Sequence, residues 1–137
     1  MNISKSKEVS HREDEGAVVE IRDPAGEKMY QDDAQSKPVV ITVAGTYSAR
    51  YRRAADVNRD RMLKQRRNQL DGDQLNQQSL ELVAACILSW DGFTADIDGA
   101  EQPYPLTKAN AVALLAECPW IREQVEAAMN DHASFLA

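Results

Sequence analysis

The sequence predicts a mainly α-helical α+β domain: a small N-terminal β-hairpin or three-stranded sheet, followed by a bundle of about four helices. Three observations carry this. β-Branched runs fall within the first 45 residues, a stretch without Pro or Gly and rich in helix formers extends from Ser48 to about Leu70, and the later apolar residues recur at helical spacing.

Residues 1–16 mix Ser, Lys, Glu, Asp and His with only two scattered aliphatics, too little apolar surface to offset the entropy of ordering them, and are expected to form a disordered arm. Residues 17–45 form the expected β element. Val19 and Ile21 alternate before Asp-Pro-Ala-Gly, where Pro24 suits the second and Gly26 the fourth position of a type I turn, so AVVEIRDPAGEKMY reads as a hairpin. VVITVA at 39–44 supplies a third strand, with Pro38 at its start because it cannot donate to a ladder.

Residues 46–137 form the expected helical body. Its first helix, from Ser48 to about Leu70, carries one sparse apolar stripe (Tyr47, Tyr51, Ala54, Ala55, Met62, Leu63, Leu70) with Arg and Lys on the remaining faces. Asp71, Gly72 and Asp73 break it, and a second helix from Gln74 to about Trp90 becomes apolar almost all round in LELVAACILSW, which marks it as the core helix. Asp91 and Gly92 end that helix, and no regular element is expected before Pro105. Thr107 is placed to cap a third helix with Val112, Leu114 and Leu115 on its apolar face. Pro119 either kinks it or opens a fourth, along which Ile121, Val125, Ala128 and Met129 continue the stripe.

At 137 residues the chain can bury roughly two-thirds of its unfolded surface. No apolar run marks a signal peptide or a membrane span, and Cys86 and Cys118 lie in apolar stretches without CxxC spacing, which suits free thiols in a cytoplasm. The net charge of −6 is unevenly distributed: +6 over residues 46–70, −3 over 1–45 and −9 over 71–137.

No pattern of catalytic or metal-binding residues emerges. Asp96, Asp98 and Gly99 suggest a calcium loop, but with Gly99 at its sixth position the twelfth falls on Pro105, and with Asp96 first the sixth is Glu101. His11 lies in the arm and His132 near the C-terminus, neither cysteine has an evident activating base, and no Gly-rich phosphate loop is present, so the expectation is a protein without enzymatic activity, metal or cofactor. The basic helix, with Arg50, Arg52, Arg53, Arg59, Arg61, Lys64, Arg66 and Arg67, can meet nucleic acid, an acidic protein surface (on this chain, a second copy or a partner), or solvent alone. The acidity of the whole chain favours protein contacts. Trp90, Phe93 and Trp120 at the helix junctions can close a core or anchor a partner. The candidate partner-binding set is therefore Arg50, Arg52, Arg53, Arg59, Lys64, Trp90, Phe93 and Trp120.

The order of these features resembles the tail assembly chaperones of long-tailed bacteriophages. The resemblance covers about residues 46–137: the basic helix with Tyr47 and Tyr51, SLELVAACILSWDGF, the acidic loop, then Pro105, Thr107, Asn110, the Leu114–Leu115 pair and Pro119-Trp120-Ile121 with Val125 four residues on. It implies a protein of the host cytoplasm that binds the tape measure protein during tail assembly and is absent from the mature virion. It also implies a longer frameshifted form that recruits the tail tube protein, this chain resembling the short form, and it leaves self-association open. Two alternatives stand beside it: a small nucleic-acid-binding regulator using helix 48–70, and a structural tail or head-completion protein.

Overall fold

A computed structural model describes residues 2–64 and 72–137. A 3-10 turn at Ile3–Ser6 leads into α1 (Lys7–Glu15), then β1 (Ala17–Glu20), β2 (Val40–Val43), α2 (Ala49–Lys64), α3 (Gly72–Ala85), β3 (Ile87–Asp91), β4 (Thr94–Ile97), β5 (Ala100–Pro103), α4 (Lys108–Glu117), α5 (Pro119–Asn130) and α6 (His132–Leu136). The α+β class and the N-terminal three-stranded antiparallel sheet agree with the sequence reading. The membership of the sheet differs.

Its order is β1-β2-β3, with Ile41 opposite Trp90 and Val19 opposite Ile41. Period-2 alternation along β2 buries Ile41 and Val43 completely, while Val40 and Thr42 are only half-buried. The expected hairpin does turn at Asp23–Gly26, where the Gly26 amide donates to Asp23 O at 2.9 Å. Its return limb, however, makes only isolated bridges, Arg22 with Lys28 and Tyr30 with Pro38. The third strand is instead Ile87–Asp91, within the stretch expected to be core helix. That helix ends at Ala85. An apolar run without polar punctuation is equally compatible with a buried helix and a buried strand, and here the free edge of β2 decides.

The connector expected to lack structure is a hairpin, β4 with β5, turning at Asp98 and Gly99, whose φ values are +53° and +81°. Both central residues of a type I′ turn need positive φ, which Asp tolerates and Gly adopts freely. Asp98-Gly99 therefore serves as turn chemistry.

The helices follow their sequence signals more closely. The Thr107 Oγ1 accepts from the Asn110 amide at 3.1 Å, and Pro119 opens α5 as a new helix. Ile121, Val125 and Met129 point from α5 into the core, which also holds Leu80, Val83, Leu115, Ile21 just after β1, and Ile41 and Val43 of β2. Gln124 extends the sheet from outside: its side chain accepts from the Arg22 amide at 2.7 Å and donates to the Arg22 carbonyl at 2.9 Å, as a neighbouring strand would. For the first helix of the body, the start at Ala49 agrees with expectation, whereas its expected end near Leu70, together with Arg66, Arg67 and Asp71, lies outside the described residues. Because β2 pairs with β3, the expected division at residue 46 is not a break in the packing. Among the described residues no helix is long and apolar enough to cross a membrane.

Candidate functional site

Within the segment expected to be disordered, α1 (Lys7–Glu15) is a docked helix whose one buried side chain is a carboxylate. Glu13 is fully buried and accepts from the Tyr47 amide at 3.0 Å through Oε1, while its Oε2 lies 2.9 Å from His132 Nδ1. Tyr47 stacks on the imidazole with ring centroids 3.8 Å apart. Asp14 accepts from the first amides of α2, Ala49 and Arg50, at 3.2 and 3.0 Å, and Ser48 Oγ accepts from the Tyr51 amide. A carboxylate at a helix N-terminus satisfies free donors and complements the dipole. Polar bonds thus supply the ordering that apolar burial in this segment cannot. His132, 119 residues from Glu13 in sequence, is gathered into this clamp.

Thr46 Oγ1 lies 3.4 Å from His132 Nε2, which completes a carboxylate, imidazole and hydroxyl series. The amides beside it are occupied: Thr46 N donates to Met129 O, Tyr47 N to Glu13 and Ser48 N to Gly45 O. These three amides are already engaged, and the series holds α1, the start of α2 and α6 together.

The cationic residues of α2 divide into two sets. Arg59 pairs with Asp56 at 2.6 Å, and Arg61 reaches Glu81 of α3, holding that carboxyl below its ordinary range, chiefly by hydrogen bonding. The charge complementarity within the chain thus includes a real α2–α3 contact. By contrast, the side chains of Arg52, Arg53 and Lys64 have no ion-pair partner among the described residues. Arg50, Arg53, Ala54 and Val57 fall on one face of α2 and form one wall of an open groove of about 570 Å³. Leu106, Lys108 and Ala111 at the start of α4 form the other wall, and Ala84, Ala85 and Ile87 lie between them. Among the described residues the groove is lined by three cations and no carboxylate, and Arg50 is anchored there by its Nε bond to the Ala85 carbonyl.

The aromatic candidates sit elsewhere. Trp90, on β3, donates from Nε1 to the Tyr104 carbonyl at 2.8 Å, stacks on the Tyr104 ring with centroids 5.7 Å apart and meets Phe93 edge-on at 5.4 Å. Tyr104 closes the junction by donating its amide to Phe93 O. Trp120, on α5, packs against the core with its Nε1 buried and without a hydrogen-bond partner among the described residues. Of the eight candidates, the groove gathers Arg50 and Arg53, and the junction gathers Trp90 and Phe93. Arg52, Arg59, Lys64 and Trp120 join neither.

The cysteines are free. Burial pushes the Cys86 thiol from its ordinary 9.0 up to about 11 and raises the half-buried Cys118 thiol by a lesser, similar effect. A group whose acidic form is favoured by folding contributes its full stability below pH 9, and that contribution declines as pH rises from 9.0 towards about 11. The expected result is a urea midpoint that falls across this alkaline window, with Cys118 alkylated by iodoacetamide in the folded protein and Cys86 only on unfolding. Mass spectrometry of timed labelling checks the order.

Fold and surface together define a small α+β domain whose exposed features are a cation-walled groove and an acidic hairpin, beside a polar clamp that ties both ends of the chain together. Residues 46–137 match the family described as YdaY prophage protein, and because this is more than half of the chain, the chain belongs to that family and is phage-derived. No curated protein and no solved structure matches it.

Proposed function

We propose that this phage-derived protein is a tail assembly chaperone that binds the tape measure protein in the host cytoplasm and is left out of the mature virion. The observation that carries this reading is the ordered signature from the basic helix to Pro119-Trp120-Ile121, which coincides with the span shared with a prophage family. The unpaired cations of α2 support it, because exposed charge that the fold itself does not consume can steer encounter with an oppositely charged partner. Recruitment of the tail tube protein belongs, in this reading, to a longer frameshifted product.

Co-expression with the tape measure gene of the same prophage tests the proposal. The expected outcome is a several-fold rise in soluble tape measure protein and a complex that survives size exclusion, with the chain absent from purified particles by mass spectrometry. An equally insoluble tape measure, or the chain as a stoichiometric component of particles, overturns it. The unpaired Arg52 and Arg53 also favour a second reading, a regulator that binds nucleic acid. That reading requires retardation of DNA or RNA that weakens steeply with salt and is lost on charge reversal at both positions.

A further inference from the structure

We infer that the groove between α2 and α4 receives the β4–β5 hairpin tip of a second copy of this chain. This contact involves the chain alone and stands apart from the tape measure. Both complementary surfaces are present on one molecule. The groove offers Arg50, Arg53 and Lys108 with no carboxylate among its described lining residues. The hairpin offers Asp96 and Asp98, both exposed, and neither carboxylate has an ion-pair partner among the described residues. Opposite potentials of this kind fix register and speed encounter, even between molecules of the same net charge, because the local patches dominate at short range.

Shape agrees with charge. The tip ends in Gly99 and Ala100, which add little bulk, and the groove is lined by Ala54, Ala84, Ala85 and Ala111 together with the larger Val57, Ile87, Leu88 and Leu106, so a slim tip meets an aliphatic floor. β4 and β5 form a two-stranded sheet of their own, with every residue of β5 exposed. Such a ribbon is marginal alone, and its open edge is a surface that proteins usually cover.

A hairpin cannot enter its own groove. β5 ends at Pro103 and the groove wall begins at Leu106, whereas the tip lies four ladder pairs away, about 13 Å at the usual rise per residue. Reaching back would unzip the ladder. Because the hairpin base and the groove wall are chain neighbours, a two-fold axis beside them places each tip in the other copy's groove, an isologous contact that closes as a dimer.

Sedimentation of the full chain at low ionic strength is expected to give twice the 15.3 kDa chain mass, and at about 1 M salt, where the screening length is about 3 Å, the monomer. Arg53→Glu and Asp96→Arg are each expected to weaken the dimer by about tenfold. Asp98→Asn, which keeps a side chain tolerant of positive φ, weakens it less. An equimolar mixture of the Arg53→Glu and Asp96→Arg chains re-forms a heterodimer, because both contacts then pair opposite charges. Circular dichroism shows that each variant is folded. A monomer at every salt concentration, a dimer indifferent to both charge reversals, a mixture that stays monomeric, or a groove that takes an acidic peptide while the chain remains monomeric overturns the inference. None of these outcomes depends on tape measure binding, which is scored separately by co-expression.

Discussion

Gly45→Ala is expected to lower folding stability by about 3 kcal/mol, because the added methyl group would occupy the place of the buried Glu13 carboxylate. A Cβ at residue 45 would lie 1.9 Å from Glu13 Oε1, 2.6 Å from its Cδ and 2.9 Å from its Cγ. Moving the end of the side chain does not relieve this, since three consecutive atoms are in the way. The carboxylate is also held from two sides, by the Tyr47 amide and by His132. Expelling it breaks two charge-assisted bonds and leaves the amide and the imidazole without their acceptor, and either loss is worth about 1–3 kcal/mol. With a urea slope of about 1–3 kcal/mol/M, the midpoint should fall by at least about 1 M. Glu13→Ala in the Gly45→Ala background removes the obstruction, so the double variant should lose less stability than the sum of the two single variants. Strict additivity, or a wild-type midpoint for Gly45→Ala, would mean that Glu13 does not occupy this position.

The same clamp shows where sequence reasoning stops. Glu13 and His132 are 119 residues apart, and nothing local to either one signals the other. Composition correctly reports that residues 1–16 lack apolar surface, yet a segment can also be ordered by satisfying the free amides of its neighbours, as Asp14 does for α2. Local signals fared better wherever the physics is local. Thr107 caps α4 through a bond spanning three residues, and Pro119 opens α5 because its missing N-H costs nothing at that position. The β4–β5 hairpin left one legible trace, the Asp98-Gly99 pair, but its flanks Thr-Ala-Asp-Ile and Ala-Glu-Gln-Pro lack the alternating β-branched pattern that would confirm a strand. Strand β3 was ambiguous in principle, because the choice between helix and strand for Cys-Ile-Leu-Ser-Trp depends on the edge of β2 more than forty residues earlier. The candidate site divides in the same way. The residue types of Arg50 and Arg53 were visible in the sequence, whereas their meeting with Lys108 across a groove depends on how α2 and α4 pack.

The span that matches the phage family, residues 46–137, is expected not to fold by itself. Its strand β3 has one ladder partner, β2, which lies outside the span, as does β1 beyond it. Removing residues 1–45 also takes Ile21, Val39, Ile41 and Val43 from the core, each at most 3% exposed. At about 1.5–3 kcal/mol for each buried aliphatic side chain, that loss is on the order of 6–12 kcal/mol, comparable to the whole stability of an ordinary domain. What remains exposes one face of Ile87 and the unpaired amides of β3, while α5 loses the sheet on which it packs. The expected fragment is helical by far-UV circular dichroism but melts without a cooperative transition. Deleting only residues 2–16 should behave differently: the sheet and its aliphatic residues stay, the clamp alone is lost, and a cooperative transition persists at a lower midpoint. Adding a peptide of residues 1–45 to the 46–137 fragment should restore cooperativity, because β2 can pair with β3 from a separate chain as well as from its own. A sharp melt of the 46–137 fragment near the midpoint of the full chain would show that the sheet is dispensable, and the core would then have to be assigned to the helices alone.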